Sequence, residues 1–504
     1  MARSNGCARS RTEHTRRLAV RRLASLTLLL AHALVGCATY EYEAAPADTR
    51  QLLAALEARH WHPVPGARRA GAEGLSGADG VESAGADGLV PEQLAAFAVT
   101  HNPSLIALRR QVGVAQALLR TAGLLSDPQI GWDAMDAIAS QALDGTHSTL
   151  DAVSGLGFSI TLPRPGELEA REGAARWRVE QARFDVARVE WAVVREVYVA
   201  CEDVLEARRL LEQNQDIMEV AGTTRDYFER AQSAGAATAI QANLAAGDLL
   251  TIRAQRVHLE ARSRATRQAL NALLGLPPAT ELQVVAAPQP RQALAFGEGP
   301  GVASGDGSPA ALDALVERAL TLRPGLAALQ AAYLAAEEDL RLEVALQSPQ
   351  FAVGTGIWIT PGFFSDFNRW QVELAMARRD ALRGQLEARV HDLRRELHDA
   401  SAARQEALRE LHFLEAELLP NAEESLRLAG QAFDAGEVTL LEILSLQRAL
   451  ADGRTRTTES YAELQRRQWR LLSASGELLP RSRRDLEHES ASTHDDDHAE
   501  RPAR

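Results

Sequence analysis

The stretch AGEVTLLEILSLQRAL, residues 435–450, breaks a pattern that otherwise reads as continuous helix. AGAATAIQANLAAGD, residues 234–248, breaks it in nearly the same way 201 positions earlier. Each places a Thr three residues after a Gly: Gly235 and Thr238, then Gly436 and Thr439. Glycine adopts the left-handed conformation that ends a helix, and a Thr oxygen caps the free N–H groups that begin the next. Both stretches therefore read as the tip of a helical hairpin. A simple bend inside a soluble bundle is the alternative, and it does not explain why the motif occurs twice.

The duplication extends through the chain. Pro103 and Pro128 recur as Pro324 and Pro349, offset by 221, while Gly235, Thr238 and Gly275 recur as Gly436, Thr439 and Gly476, offset by 201. The second copy has thus lost 20 residues between Pro349 and Gly436. Segments rich in Gly, Pro and small residues separate the parts. The predicted organisation is a signal over 1–36, an N-terminal segment and spacer over 37–90, a first repeat over 91–283, a linker over 284–310, a second repeat over 311–480, and a polar tail over 481–504.

Within each repeat the same order recurs. A helix of about 25 residues comes first, 103–126 in one copy and 324–347 in the other. An extended segment follows the Pro-Gln step, QIGWDAM in the first copy and QFAVGTGIWI in the second. A second extended segment follows: GLGFSITL, with Leu156, Phe158, Ile160 and Leu162 alternating, and RWQVELAM, with Trp370, Val372, Leu374 and Met376 alternating. Period-two alternation is the signature of a strand. The second copy has no counterpart of the PRPGEL junction. Either its strand runs almost directly into helix, the reading adopted here, or RWQVELAM is helical and the hairpin has lost a strand. Four strands are too few to close a barrel.

Long helices come next. No Pro occurs between Gly166 and Leu276, and Val179, Val186, Val193 and Ala200 mark a seven-residue seam as in a coiled coil. Glu167 to Ser233 would make a helix of roughly 100 Å at about 1.5 Å per residue. Its charged faces require water around it. Pro420 should kink or break the corresponding helix of the second copy.

Composition narrows the function. With 46% hydrophobic but 5% aromatic residues, the chain suits long helices with small-residue seams. A formal net charge of -13 argues against nucleic acid as a partner. No nucleophile–base pairing, phosphate loop or Cys/His ligand set is legible, so no enzyme activity, cofactor or metal is expected. HWH (His60–His62) and HDDDH (His494–His498) could hold a metal loosely, yet read better as solvated polar segments. The Arg-rich start, the apolar run LASLTLLLAHALVG and Cys37 form a secretory signal. LVGC resembles a bacterial lipobox, which implies acylation of Cys37; an uncleaved anchor or an ordinary signal cut nearby are the alternatives. Ala38 after the Cys implies sorting to the outer membrane. Cys201 is left as a small buried apolar residue.

A lipobox, two copies of helix, hairpin, long helix, tip and long helix, and the tip AGEVTLLEILSLQRAL together resemble the TolC outer-membrane factors, especially the lipidated members serving resistance-nodulation-division (RND) pumps. LPRPGELEAREGAA, RPGLAALQAAYLAAEEDL and ALNALLGLP resemble family junctions in the family's order. The resemblance implies a mainly α fold whose long hairpins build an α-barrel in a homotrimer. Four strands from each of three chains would close a 12-stranded β-barrel in outer-membrane lipid. It implies a channel that exports drugs or heavy metals. The tips, Gly235, Thr238, Gly436, Thr439, Leu440 and Leu441, would meet a periplasmic adaptor joined to an inner-membrane RND pump. Glu442 and Ser445, with Gln241 at the matching place of the first tip, fall on the family's gate positions. Three Glu442 carboxylates would ring a pore and favour cations; Ser445 leaves the second layer uncharged. Glu442 also suits a helix N-terminus in any protein. A non-conducting, lipid-anchored scaffold derived from the family is the second reading, motivated by the shortened hairpin.

Overall fold

The computed structural model describes residues 48–62, 88–132, 156–286, 309–354, 357–360, 366–435 and 437–478. Cys37 and the 494–498 histidines lie outside them. The chain divides into Met1–Glu57 and Ala58–Arg504. In the first unit, helix α1 (Thr49–Glu57) opens on Asp48, whose carboxylate accepts from Arg50 N–H at 2.9 Å.

The second unit begins with α2 (Pro91–His101) and α3 (Pro103–Ala122), followed by strands β1 (Gln129–Trp132) and β2 (Leu156–Leu162). Helix α4 (Glu167–Ser233) and its returning partner α5 (Ala239–Leu274) complete the first repeat. The second has α6 (Pro309–Leu322), α7 (Pro324–Ala345), β3 (Gln350–Gly354), β4 (Ile357–Thr360), α8 (Arg369–Phe413), α9 (Leu419–Asp434) and α10 (Leu440–Ser475). The α4 helix has 67 residues, on the order of 100 Å of rise. Val179, Val186, Val193 and Ala200 are all buried, as a seven-residue seam requires.

Helix ends follow the sequence punctuation. Asn102 Oδ1 accepts from Ser104 and Leu105 N–H at the start of α3, with Pro103 in the first turn where its missing N–H costs nothing. Its amide also donates to Leu273 O at 2.9 Å, fixing this corner to the end of α5. Gly275 and Gly476 end α5 and α10 in the left-handed conformation, with φ of 70° and 87°. The core near these ends joins Leu94, Phe97, Leu105, Val197, Leu205, Leu270, Leu274 and Trp469. Its second-repeat counterpart joins Ala319, Leu326, Leu393, Leu397 and Ala474. Fully burying each of the leucines contributes roughly 1.5–3 kcal/mol. Cys201 is completely buried and free; burial, reinforced by Glu202 and Glu92, pushes its thiol pKa up and keeps it unreactive.

Three sequence expectations are changed or refined. RWQVELAM is not a strand: Arg369–Phe413 is helix. Trp370 and Leu374, and Val372 and Met376, are four apart, so their alternation also satisfies a helical period. The hairpin has nevertheless lost no strand, because QFAVGTGIWI contains both β3 and β4. The counterpart of the PRPGEL junction is Asp366–Phe367–Asn368, three consecutive residues at φ of 52°, 51° and 61°. Gly166 opens α4 at φ 80°, and Asn368 opens α8 in the same left-handed region, its amide donating to Glu343 O and Oε2. Pro420 does not break the helix: Leu414–Leu418 widens into a π turn and α9 continues from it with the backbone still helical, so the proline is accommodated by a bulge. At Gly453 α10 passes close to this bulge, where a Cβ would stand 2.9 Å from Leu418 Cδ2 and would push that side chain aside. Finally, HWH is ordered but only partly packed: Trp61 is half-buried while His60 and His62 stay exposed. Trp61 rests on the first core, His62 meets the rings of Phe97 and His101 edge-on, and Arg59 Nη1 donates to His101 O.

Candidate functional site

The two tips share a reach-back bond and a capping box. Gly235 ends the first turn at φ 76°, and Ala236 N–H reaches back to Ala231 O at 2.7 Å. In the second tip Glu437 N–H reaches back to Ala432 O at 2.9 Å, the same five-residue step; Gly436 itself lies outside the described residues. Thr238 Oγ1 accepts from Gln241 N–H at 3.2 Å while Gln241 Oε1 accepts from Thr238 N–H at 2.8 Å. Thr439 Oγ1 accepts from Glu442 N–H at 3.4 Å while Glu442 Oε2 accepts from Thr439 N–H at 2.7 Å and from its hydroxyl at 2.8 Å. Both are capping boxes.

Gln241 and Glu442 thus have one structural job in common and differ in charge. The Thr439 N–H and hydroxyl hold the exposed Glu442 carboxyl below the usual carboxylate range. Ser445 donates its hydroxyl to Glu442 O at 2.7 Å, turning it back onto its own helix.

The tips pack on each other. Phe228, Ala242, Ala245, Leu440 and Leu444 form a small buried cluster, with the Phe433 ring edge-on to Phe228 at 6.4 Å. Beside it Arg448 Nε donates to the buried carboxylate of Asp248 at 2.7 Å. Leu440 is 3% exposed, so it holds the tips together and offers no surface to a partner. Leu441, 62% exposed, and Ile240, 72% exposed, are the apolar side chains most open to one, with Tyr227 and Leu244 also exposed beside the first tip. Ile240, Phe228, Asp248 and Arg448 escaped the sequence reading, although Asp248 and Arg448 lie only one position from the 201-residue repeat offset.

Farther along the helices an ion network joins the repeats. Glu206, 1% exposed, accepts from Arg262 Nη2 at 2.6 Å and Arg466 Nη1 at 2.7 Å. Arg466 also binds Asp203 and Glu463. Burial works against its charge, but the bonds to Glu206 and Glu463 outweigh that and raise its pKa.

At the opposite end from the tips the strands form one sheet in the order β1-β2-β3-β4, all antiparallel. Leu162 pairs with Phe351, and Phe351 with Ile359; Ile160 pairs with Val353, and Val353 with Ile357. These six side chains share one face, and Leu162, Phe351, Val353, Ile357 and Ile359 are exposed. The other face carries Ser159, Thr161, Ala352 and Gly354 with Trp358. An exposed apolar face backed by a mostly small and polar one is the pattern of a barrel wall in lipid.

The model of the outer membrane efflux protein family matches residues 95–276 and 361–477, more than half of the chain. No curated protein matches it in sequence. Several solved channels share its fold. The outer-membrane channel OprN is 16% identical, with 77% of this chain and 89% of that chain covered at a TM-score of 0.61. VceC from Vibrio cholerae is 16% identical, covering 77% and 96% at a TM-score of 0.60. The MtrE channel of Neisseria gonorrhoeae, solved in an open state, is 16% identical, covering 78% and 90% at 0.58. Identities this low speak for the fold alone. With the duplicated tips, the capping boxes and the amphipathic sheet, the family match places this chain in the outer membrane efflux protein family.

Proposed function

We propose that three copies of this chain form the exit duct of a tripartite efflux pump, passing small molecules or metal ions through the periplasm and outer membrane. The observation that carries the reading is the polarity of the molecule. Hydrophilic hairpins on the order of 100 Å long end in paired tips on one side and in a four-stranded sheet with an exposed apolar face on the other. One sheet of four strands leaves β1 and β4 without a further strand neighbour among the described residues, and lipid does not tolerate open edges. Three such sheets close a barrel of about twelve strands.

In this assembly the tips face the periplasmic adaptor, with Ile240 and Leu441 as the apolar contacts and Gly235, Thr238, Gly436 and Thr439 shaping the turns. Glu442 carboxylates ring the narrow end and favour cations, with Gln241 and Ser445 as uncharged neighbours. Cys37 carries lipid and anchors the N-terminus to the outer membrane. The duct performs no chemistry of its own; the RND pump beneath it supplies energy and substrate choice.

The short second hairpin favours one other reading, a lipid-anchored scaffold that does not conduct. Osmotic swelling of proteoliposomes separates the two. A duct lets sugars of graded size enter and the vesicles swell; vesicles that hold folded protein yet stay tight identify the scaffold. Mass spectrometry of the membrane-extracted protein tests the rest, with three copies per particle and an acyl increment lost in Cys37→Ala as the expected result.

A further inference from the structure

The second hairpin is too short to cross a bilayer. β3 has five residues and β4 four, and only residues 355 and 356 separate Gly354 from Ile357. Val353 and Ile357 are the last paired positions, with three residues between them. Five residue steps from Gln350 to the apex, at about 3.3 Å each and tilted about 40°, rise roughly 13 Å. The apolar band of an outer-membrane barrel is about 25 Å tall, and a crossing strand needs about 9–11 residues.

The base of the hairpin carries the marks of a membrane–water boundary. Phe367 and Trp370 are 55% and 64% exposed, and the Arg369 guanidinium lies 5.7 Å from the Trp370 ring centre. Arg164 Nε donates to Ser348 O at 2.8 Å, and Glu167 and Glu343 stand at the two helix junctions. Aromatic rings and long cationic side chains together favour the headgroup layer. Above that line the exposed side chains of one face are all apolar: Leu162, Phe351, Val353, Ile357 and Ile359.

From this juxtaposition we infer that the second hairpin is a half-span element: its apolar face lies among the acyl chains of the periplasmic leaflet, and its apex ends near the bilayer midplane. The inference rests on the outer-membrane reading above and adds what the family fold does not supply, an uneven barrel wall. The first hairpin is longer in sequence, with 23 residues, 133–155, between β1 and β2.

Nitroxide depth measurement tests this directly. Phe351→Cys, Val353→Cys, Ile357→Cys and Ile359→Cys, each in a Cys201→Ala chain, are spin-labelled and reconstituted into phosphatidylethanolamine–phosphatidylglycerol vesicles. Collisions with oxygen and with a nickel chelate then report depth, with the unlabelled parent as background. All four side chains are exposed, and circular dichroism confirms that each variant keeps its helix. A half-span hairpin puts the labels at 353 and 357 about 5 Å deeper than those at 351 and 359, the deepest being nearest the apex. Labels at 351 and 359 deeper than those at 353 and 357 would indicate a hairpin that crosses the midplane, and would overturn the inference while leaving the membrane reading intact. Equal, water-like access of the chelate to all four would remove both.

Discussion

Replacing Leu444 by Ala should loosen the tips without unfolding the protein. Leu444 is 4% exposed and belongs to a cluster of only five buried residues, at the far end of hairpins whose main cores lie elsewhere. Buried Leu→Ala changes cost about 2–5 kcal/mol, depending on how far the site collapses. A small cluster with a solvent rim collapses well, so the lower part of that range, about 2–3 kcal/mol, applies here. Tip amides exchange through local opening, and each 1.4 kcal/mol is about a factor of ten. Exchange across 228–245 and 433–450 should therefore accelerate about 30- to 150-fold, read by hydrogen–deuterium exchange and mass spectrometry in detergent. Amides around Leu270 and Leu274 should not change. Leu441→Ala, at an exposed position in the same turn, should stay within about 0.5 kcal/mol of the parent. Equal acceleration by both variants, or none by Leu444→Ala, would refute the assignment of one leucine to the tip core and the other to its surface.

Four further outcomes follow from the same geometry. Thr238→Ala and Thr439→Ala should each cost about 1 kcal/mol in tip stability, seen as about a fivefold rise in local exchange. Glu442→Gln should keep its capping box, because Gln241 already fills that role in the other tip. The wild-type Glu442 carboxyl titrates below its unfolded value, so its stabilisation is present above the ordinary carboxylate range and is lost as pH falls through the lowered value. Second-tip exchange should accordingly quicken in acid, and Glu442→Gln should flatten that dependence. Glu206→Leu removes the buried carboxylate that Arg262 and Arg466 share while leaving Arg466 its bonds to Asp203 and Glu463, and should lower stability by about 1.5–3 kcal/mol in denaturant titration, whereas Glu424→Ala on the surface should be near neutral.

The tips were legible because their signals are local. A Gly, a capping Thr and a Gln or Glu three residues on lie within seven positions, and the motif repeats at a fixed offset. The long α4 helix was legible for a related reason, since absence of Pro and a seven-residue seam are properties of one segment. The second hairpin was misassigned because Trp370, Val372, Leu374 and Met376 satisfy both a period of two and an i,i+4 pairing. The two-residue connection at 355–356 meanwhile looked like part of one longer strand. Nothing local announces three left-handed residues in a row at Asp366–Asn368, two of which are types that tolerate that region and one of which is Phe. The Glu206 network was invisible for a different reason: its partners Arg262 and Arg466 are 56 and 260 residues away and meet only after the hairpins pack. Leu440 and Leu441 look equivalent in sequence, and only the packing of one tip on the other separates them.

Single-channel recording in a planar bilayer tests the central claim most directly. The protein, extracted from membranes and added to one side, should insert with discrete conductance steps that favour cations, and Glu442→Gln should insert equally well with that preference reduced. Folded, membrane-inserted trimers that give no conductance at any voltage would contradict the account of this chain as an efflux duct.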